Sequence, residues 1–184
     1  MLDLIAAADL WFENVMLAAR TPFLLHIFSW ITSLGDTIVV IGITGIVMIC
    51  LLLFKNMKAY AAGLVAAVIG AGGTGYALKM IVGRARPSGL IPAATEASLS
   101  FPSMHATLAV ALYGFLAYVL AKRYPRHAAA ITILAVLGIF AIGFSRLYLG
   151  VHFPTDVLAG FVLGGVWLLA GIKISYAIRN GIVR

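Results

Sequence analysis

The sequence predicts an all-α fold, a polytopic membrane helix bundle in which five transmembrane helices follow an N-terminal interfacial or re-entrant helical hairpin. Three observations carry this. Of 184 residues, 63% are apolar and only 10% charged, and the mean hydropathy of +1.09 lies far from the usual soluble mix. Uncharged runs reach the length of about 20 residues that a helix needs to cross a bilayer. The charges gather in short segments between those runs.

Taken in order, Met1 to Arg20 sets Asp3, Asp9, Glu13 and Arg20 among Leu, Ile, Trp and Phe. That mixture is too charged for an easy crossing and suits an interfacial helix. It does not read as a secretory signal, because no basic leader precedes an apolar core. Thr21-Pro22 restarts the chain. Phe23 to Leu34 is apolar but too short to span unless the crossing begins upstream and buries Arg20, so a re-entrant or interfacial segment is expected. Residues 1–35 thus form one region and 36–184 the transmembrane core. Thr37 to Phe54 and Ala59 to Leu78 are uncharged runs of 18 and 20 residues, separated by Lys55-Asn56-Met57-Lys58. Both are long enough to cross.

A loop from Gly83 to Ser100 follows, with Arg84, Arg86, two prolines and Glu96. Ala106 to Ala121, extended backwards by Phe101 to Met104, is the next crossing. Lys122 to His127 forms a basic turn, Ala128 to Phe144 crosses again, and Val157 to Ile172 makes the last crossing, with Lys173 and Arg179 placed to snorkel. The single Cys50 lies in an apolar run, supports no disulfide framework or metal cluster, and is expected to be a buried small hydrophobe.

The net charge of +7 suits nucleic acid, acidic lipid or a phosphorylated substrate, and position decides among them. Lys55, Lys58, Lys122, Arg123, Arg126, Lys173, Arg179 and Arg184, eight of the thirteen Lys and Arg, fall on one membrane face, which the positive-inside bias makes cytoplasmic. Lys79, Arg86, His105, Arg146, His152 and Asp156 fall on the other. The basic excess is therefore partly topological and partly local to one extracytoplasmic site. No aromatic and basic interleaving of a stacking platform is visible, which argues against nucleic acid.

Three constellations carry chemistry. In Ser145 to Asp156, His152 and Asp156 are four apart, so at a helix start they share a face. A carboxylate accepting one ring N–H leaves the other nitrogen's lone pair free to attack. Pro154 suits a first turn, and Arg146 offers a fork of donors that fits phosphate oxygens. The plainer alternative is a polar loop with a capped helix. Lys79 and Arg86, seven apart, can converge on an anion across a helix end near Gly83, or serve as two interfacial anchors; Arg84 points elsewhere, as an anchor or secondary contact. In Pro102-Ser103-Met104-His105, a helix opening gives Ser103 as a cap or phosphate donor, with the N–H groups of Met104 and His105 pointing the same way. There, His105 is either a proton donor to a leaving oxygen or a structural histidine. Gly70-Ala71-Gly72-Gly73-Thr74-Gly75 has the spacing of a dinucleotide fingerprint, with Glu96 at a suitable distance, but it sits inside an uncharged run, and close helix packing explains it better.

Together, Lys79 with six residues and Arg86-Pro87, then Pro102-Ser103-Met104-His105, then Ser145-Arg146 with His152 and Asp156, resemble the three-part signature of the type 2 phosphatidic-acid phosphatase superfamily. Order and internal spacing fit from Lys79 to Asp156. One position departs, since the family usually has glycine where this chain has Met104. The resemblance implies a bundle of about six helices that hydrolyses lipid phosphates or diphosphates without a metal or other cofactor. It assigns His152 as the nucleophile that becomes a phosphohistidine, Asp156 as its orienter and His105 as acid and then base. Lys79, Arg86, Ser103, Met104 and Arg146 would hold the phosphoryl oxygens. Outward-facing chemistry in the cell membrane favours undecaprenyl diphosphate, with phosphatidylglycerol phosphate and phosphatidic acid open. The competing classes are a vanadium haloperoxidase, which five apolar spans disfavour, and a non-catalytic phospholipid-binding or transport protein on the same fold.

Overall fold

The computed structural model describes residues 2–87 and 98–181. Among these, eight α-helices follow one another: α1 Leu2–Ala18, α2 Pro22–Ser33, α3 Thr37–Leu53, α4 Lys58–Val82, α5 Met104–Ala109, α6 Phe115–Arg123, α7 Ala128–Tyr148 and α8 Pro154–Arg179. A single π turn at Val110–Gly114 joins α5 to α6. Glu96 lies outside the described residues, as does Arg184.

Four helical stretches are long and apolar enough to cross a membrane: Lys58–Val82, Met104–Arg123, Pro125–Tyr148 and Pro154–Arg179. The expected fifth crossing, Thr37 to Phe54, needs correction. Here α3 stops at Leu53, because Phe54 is extended and Asn56 takes φ 67 in the Lys55–Met57 turn. Seventeen residues rise only about 25 Å, short of a hydrocarbon core of about 30 Å. Only together with α2 does α3 reach spanning length, as a pair bent by 43°. The second helix of the N-terminal hairpin, α2, and the first expected crossing, α3, thus form one bent pair.

The other spans run further than their uncharged cores. α4 continues through Lys79 until Gly83, at φ 63, ends it in the left-handed region. α7 continues through Ser145 and Arg146, and α8 begins at Pro154. The extra turns carry the charged residues, and hydrogen bonds from Lys79 to the Leu99 carbonyl and from Arg146 to Thr32 make the extension tolerable at the membrane edge.

Lipid is as apolar as a protein interior, so close backbone approach has to hold such a bundle. α4 packs most extensively on α8. A Cβ on Gly63 would lie 2.4 Å from the Gly171 carbonyl oxygen, and one on Gly171 would lie 2.4 Å from that of Gly63. The Gly70–Gly75 stretch belongs to the same seam: Gly70 lies under the Trp167 ring, whose Nε1 donates to Thr74 Oγ1 at 2.9 Å. Nearer the N-terminus on the same face of α8, Gly160 faces the Ser103 carbonyl and Gly164 that of Thr107, which draws the start of α5 against the start of α8. Leu64, Leu112, Phe115 and Val40 fill the centre. α3 buries only Val40 and Leu51, so it is peripheral. Cys50, off that seam, is exposed rather than buried as expected.

Candidate active site

The site forms where α4 ends, α5 begins, and α7 hands over to α8. Gly150 turns the chain after α7 at φ 69, a backbone angle that a side chain resists, and Val151 N–H returns to the Arg146 carbonyl at 3.1 Å. His152 emerges from this turn just ahead of α8. Phe153 is the N-cap, and Pro154 fills the first helical position, where a missing N–H costs nothing. Asp156 accepts the Phe153 N–H at 2.9 Å, half of a capping box. The cap fixes the carboxylate for its other partners. Its Oδ2 accepts Ser100 Oγ at 2.5 Å and lies 3.4 Å from His152 Nδ1, while Oδ1 takes Arg84 at 2.8 Å.

The tautomer of His152 follows from its neighbours. Arg86 Nη1 stands 3.3 Å from His152 Nε2, and a guanidinium has donors only. Nε2 therefore presents its lone pair, and the proton sits on Nδ1, toward Asp156. Both contacts are at the long end of hydrogen bonding. Burial pushes the His152 imidazole down to about 3, with Arg86 and Arg146 adding to the effect and Asp156 opposing it. The ring is neutral at physiological pH.

His105 lines the same cavity, and its Nε2 lies 2.7 Å from Asp36 Oδ1. Asp36 occupies the N-cap position of α3 without capping it, and its side chain reaches His105 instead. The α2–α3 turn lies directly on the ring, since a Cβ at Gly35 would sit 3.0 Å from His105 Cδ2. A cavity of about 210 Å³ is lined by Lys79, Arg86, Met104, His105 and His152 together with Thr37, Tyr76, Met80 and Ser98. Five of the eight sequence-predicted residues therefore share one cavity, and Asp156 backs a sixth position, behind His152.

The cations are held, not loose. Lys79, largely buried, donates to the Leu99 carbonyl. Arg86 donates to the Ser98 carbonyl at 2.6 Å, to Ser98 Oγ at 2.9 Å and to the Val151 carbonyl at 2.7 Å. The Met104 side chain lies against Gly75, where the absence of a side chain on α4 makes room for it.

Besides Asp156, two further predicted residues stand outside the cavity wall. Arg146 is buried and donates to Thr32 Oγ1 at 2.7 Å, and its charge still reaches His152. Ser103 is fully buried at the N-cap of α5, with its N–H on the Asp156 carbonyl at 3.0 Å. Its hydroxyl makes no cap bond and has no partner, so the capping alternative falls away. An unmet buried hydroxyl costs about 1–3 kcal/mol, a cost that a bound group with an acceptor would remove.

Sequence reasoning missed several residues. Arg84, expected as an anchor or secondary contact, bridges Asp9 at 2.7 Å and Asp156 at 2.8 Å and stacks over Phe153, 4.1 Å from the ring centre. Asp9 also accepts Thr155 Oγ1 at 2.6 Å, so α1, expected to lie at the interface, is tied by a buried acid to the start of α8. Asp36, which touches His105, and Ser100, which touches both Asp156 and His152, carried no sequence signal beyond a helix start and a loop serine. Among the described residues, no three His, Cys, Asp or Glu side chains gather as a metal site.

Residues 60–179 match the PAP2 superfamily. Phosphatidylglycerophosphatase B of Bacillus subtilis is 35% identical over 164 residues, covering 87% of this chain and 79% of the relative. Lipid A 4'-phosphatase of Bacteroides thetaiotaomicron is 34% identical over 103 residues, 50% of this chain and 43% of that one. The crystal structure of a transmembrane PAP2-type phosphatidylglycerolphosphate phosphatase from Bacillus subtilis superposes with a TM-score of 0.88 at 29% identity, covering 95% of this chain and 88% of that chain. With a matched segment that runs from the first turn of α4 to the end of α8 and includes all eight of the predicted site residues, the chain belongs to the PAP2 superfamily and is a relative of the bacterial membrane lipid phosphatases, a relationship that supports hydrolysis of phosphoric esters or diphosphates.

Proposed function

We propose that this protein hydrolyses a lipid phosphate or diphosphate without a metal ion, through a phosphohistidine on His152, on the extracytoplasmic side of the membrane. The observation that carries this is the shared cavity, where His152 Nε2 offers a lone pair beside Arg86 while His105 and Lys79 line the same space.

In the proposed mechanism Nε2 attacks phosphorus in line, and the bond to the leaving oxygen breaks. That oxygen takes a proton from His105. Asp156 holds the Nδ1–H and steadies the charge that develops on the ring. Lys79, Arg86 and Arg146, the Ser103 hydroxyl and the Met104 N–H stabilise the phosphoryl oxygens, whose charge is spread in the transition state. His105, now neutral, draws a proton from water; the water oxygen attacks phosphorus, the P–N bond breaks, and phosphate leaves with the Nε2 lone pair restored.

Two lipids lead. The placement of the site away from the basic end favours undecaprenyl diphosphate in the outer leaflet, with residues 36–184 as the catalytic core. The similarity to phosphatidylglycerophosphatase B over most of both chains favours phosphatidylglycerol phosphate. Purified protein in detergent with EDTA, offered both lipids and phosphatidic acid, separates them by turnover. Phosphate release with an acid-labile label on the protein, both abolished by His152→Ala, supports the mechanism. Lipid binding without turnover would instead favour the non-catalytic alternative.

A further inference from the structure

We propose that the end of the bundle remote from His105 and His152 binds the phosphate headgroup of an anionic phospholipid, in the cavity lined by Lys55, Lys58 and Arg179. Lys58 begins α4 and Lys79 lies near its end, so the two cavities are about 30 Å apart along one helix. The remote cavity has a volume of about 750 Å³.

Two separate parts of the fold supply its cations: Lys55 and Lys58 from the α3–α4 turn and the residue that opens α4, and Arg179 from the last turn of α8. No carboxylate lines it. Asp9, Asp36 and Asp156 all belong to the other end. Arg179 is preset, donating to the hydroxyl of buried Tyr60 and lying 5.0 Å from the centre of that ring. The remaining wall is apolar apart from Asn56, with Leu53 and Phe54 mostly exposed. They continue the lipid-facing side of α3, where Ile46 and Ile49 are also exposed. A soluble anion gains nothing from such a wall, whereas a phospholipid places its phosphate among the cations and its chains along α3. A general cytoplasmic excess of Lys and Arg explains the sign of this end. It does not explain why Arg179, from the far end of the sequence, shares one cavity with Lys55 and Lys58.

The test is the melting temperature of the full chain in detergent at low salt, with phosphatidylglycerol, phosphatidylcholine or inorganic phosphate added. Phosphatidylglycerol should raise it by about 4 °C or more, and phosphatidylcholine should not. Lys55→Gln/Lys58→Gln, and the same pair with Arg179→Gln, should remove most of that rise while keeping turnover of a soluble phenyl phosphate. Lys122→Gln/Arg123→Gln, which loses as much charge from the same end, should keep it. Inorganic phosphate can also occupy the catalytic cavity, so any rise it gives should survive in the Lys55/Lys58 variant. The proposal is overturned by no rise with phosphatidylglycerol, by a rise that the Lys55/Lys58 variant retains, or by one that the Lys122/Arg123 control also loses. A phosphate-induced rise that depends on Lys55 and Lys58 would make this a free-anion site and end the lipid assignment.

Discussion

The two histidines of the cavity live in different surroundings. His152 is 4% exposed, and the carboxylate beside it, Asp156, is fully buried and held by the α8 cap, Ser100 and Arg84. His105 is also buried, at 8%, but its partner Asp36, at the N-cap of α3, has a side chain that is 50% exposed and opens a way to water. The difference matches the division of labour proposed for them. An attacking nitrogen needs one tautomer, no proton on the reacting lone pair, and an orientation fixed to within a fraction of an ångström. A proton carrier needs a route to water, which a walled-in dyad cannot give.

The sharpest way to break this contrast is to remove the walled-in side. His152→Ala should lower turnover at least about a thousandfold on every substrate, because the covalent step itself is lost. Asp156→Asn should come close to it: the amide can still accept the Phe153 N–H, but it no longer balances Arg84 or the charged ring that forms on attack. Turnover by His152→Ala within tenfold of the native protein, with phosphate release measured in detergent, would take the nucleophile's role from His152.

Next in size is the open side. His105→Ala should cost about 10²–10⁴-fold with a lipid substrate, the usual range for a general acid. The loss should shrink as phenyl phosphates of better leaving groups are used, since these depart without a proton. Asp36→Asn should follow the same trend on a smaller scale, because it acts through His105. Equal losses across leaving groups for either variant would remove His105 from that role.

The pH profile compares both sides in one measurement. With His152 held down at about 3, kcat/KM should stay high well into acid and fall only when the nucleophile takes up its proton, with a second fall at higher pH when the general acid is lost. A rate that rises steadily from acid to alkali contradicts the pairing of one neutral and one protonated imidazole.

The same contrast marks what the sequence could reveal. His152 and Asp156 are four residues apart, and a proline-started helix with a carboxylate in its first turn is a local event, legible from composition and spacing. Lys79, Arg86 and His105 were legible as polar residues placed between apolar runs. Asp36 and His105 are 69 positions apart and meet because α2 and α3 bend. No local pattern records that. Met104 against Gly75 and Asp9 against Thr155 are likewise matters of packing. The same cause displaced the helix ends. Lys79 and Arg146 read as boundaries, yet the helices run through them, because tertiary partners make those charges acceptable at the membrane edge. α3 erred the other way: its uncharged run fixed hydropathy, while the Asn56 turn decided its length.

The smallest effect concerns stability, and it isolates the burial of His152 from its chemistry. In the folded protein the ring stays neutral down to about 3, whereas in the unfolded chain it takes up a proton near its ordinary 6.5. Between those values the unfolded state binds more protons, so stability from this residue is fully present above pH 6.5 and is lost as pH falls toward 3, at up to about 1.4 kcal/mol per pH unit. His152→Gln cannot titrate and fills nearly the same space, so its melting temperature should fall less steeply over that window, even though it starts lower at neutral pH. Parallel curves for the two proteins between pH 6.5 and pH 4 would mean that His152 is open enough to be protonated in the folded state. Arg86 and Asp156 would then have to orient an exposed ring, and the contrast between the two histidines would collapse.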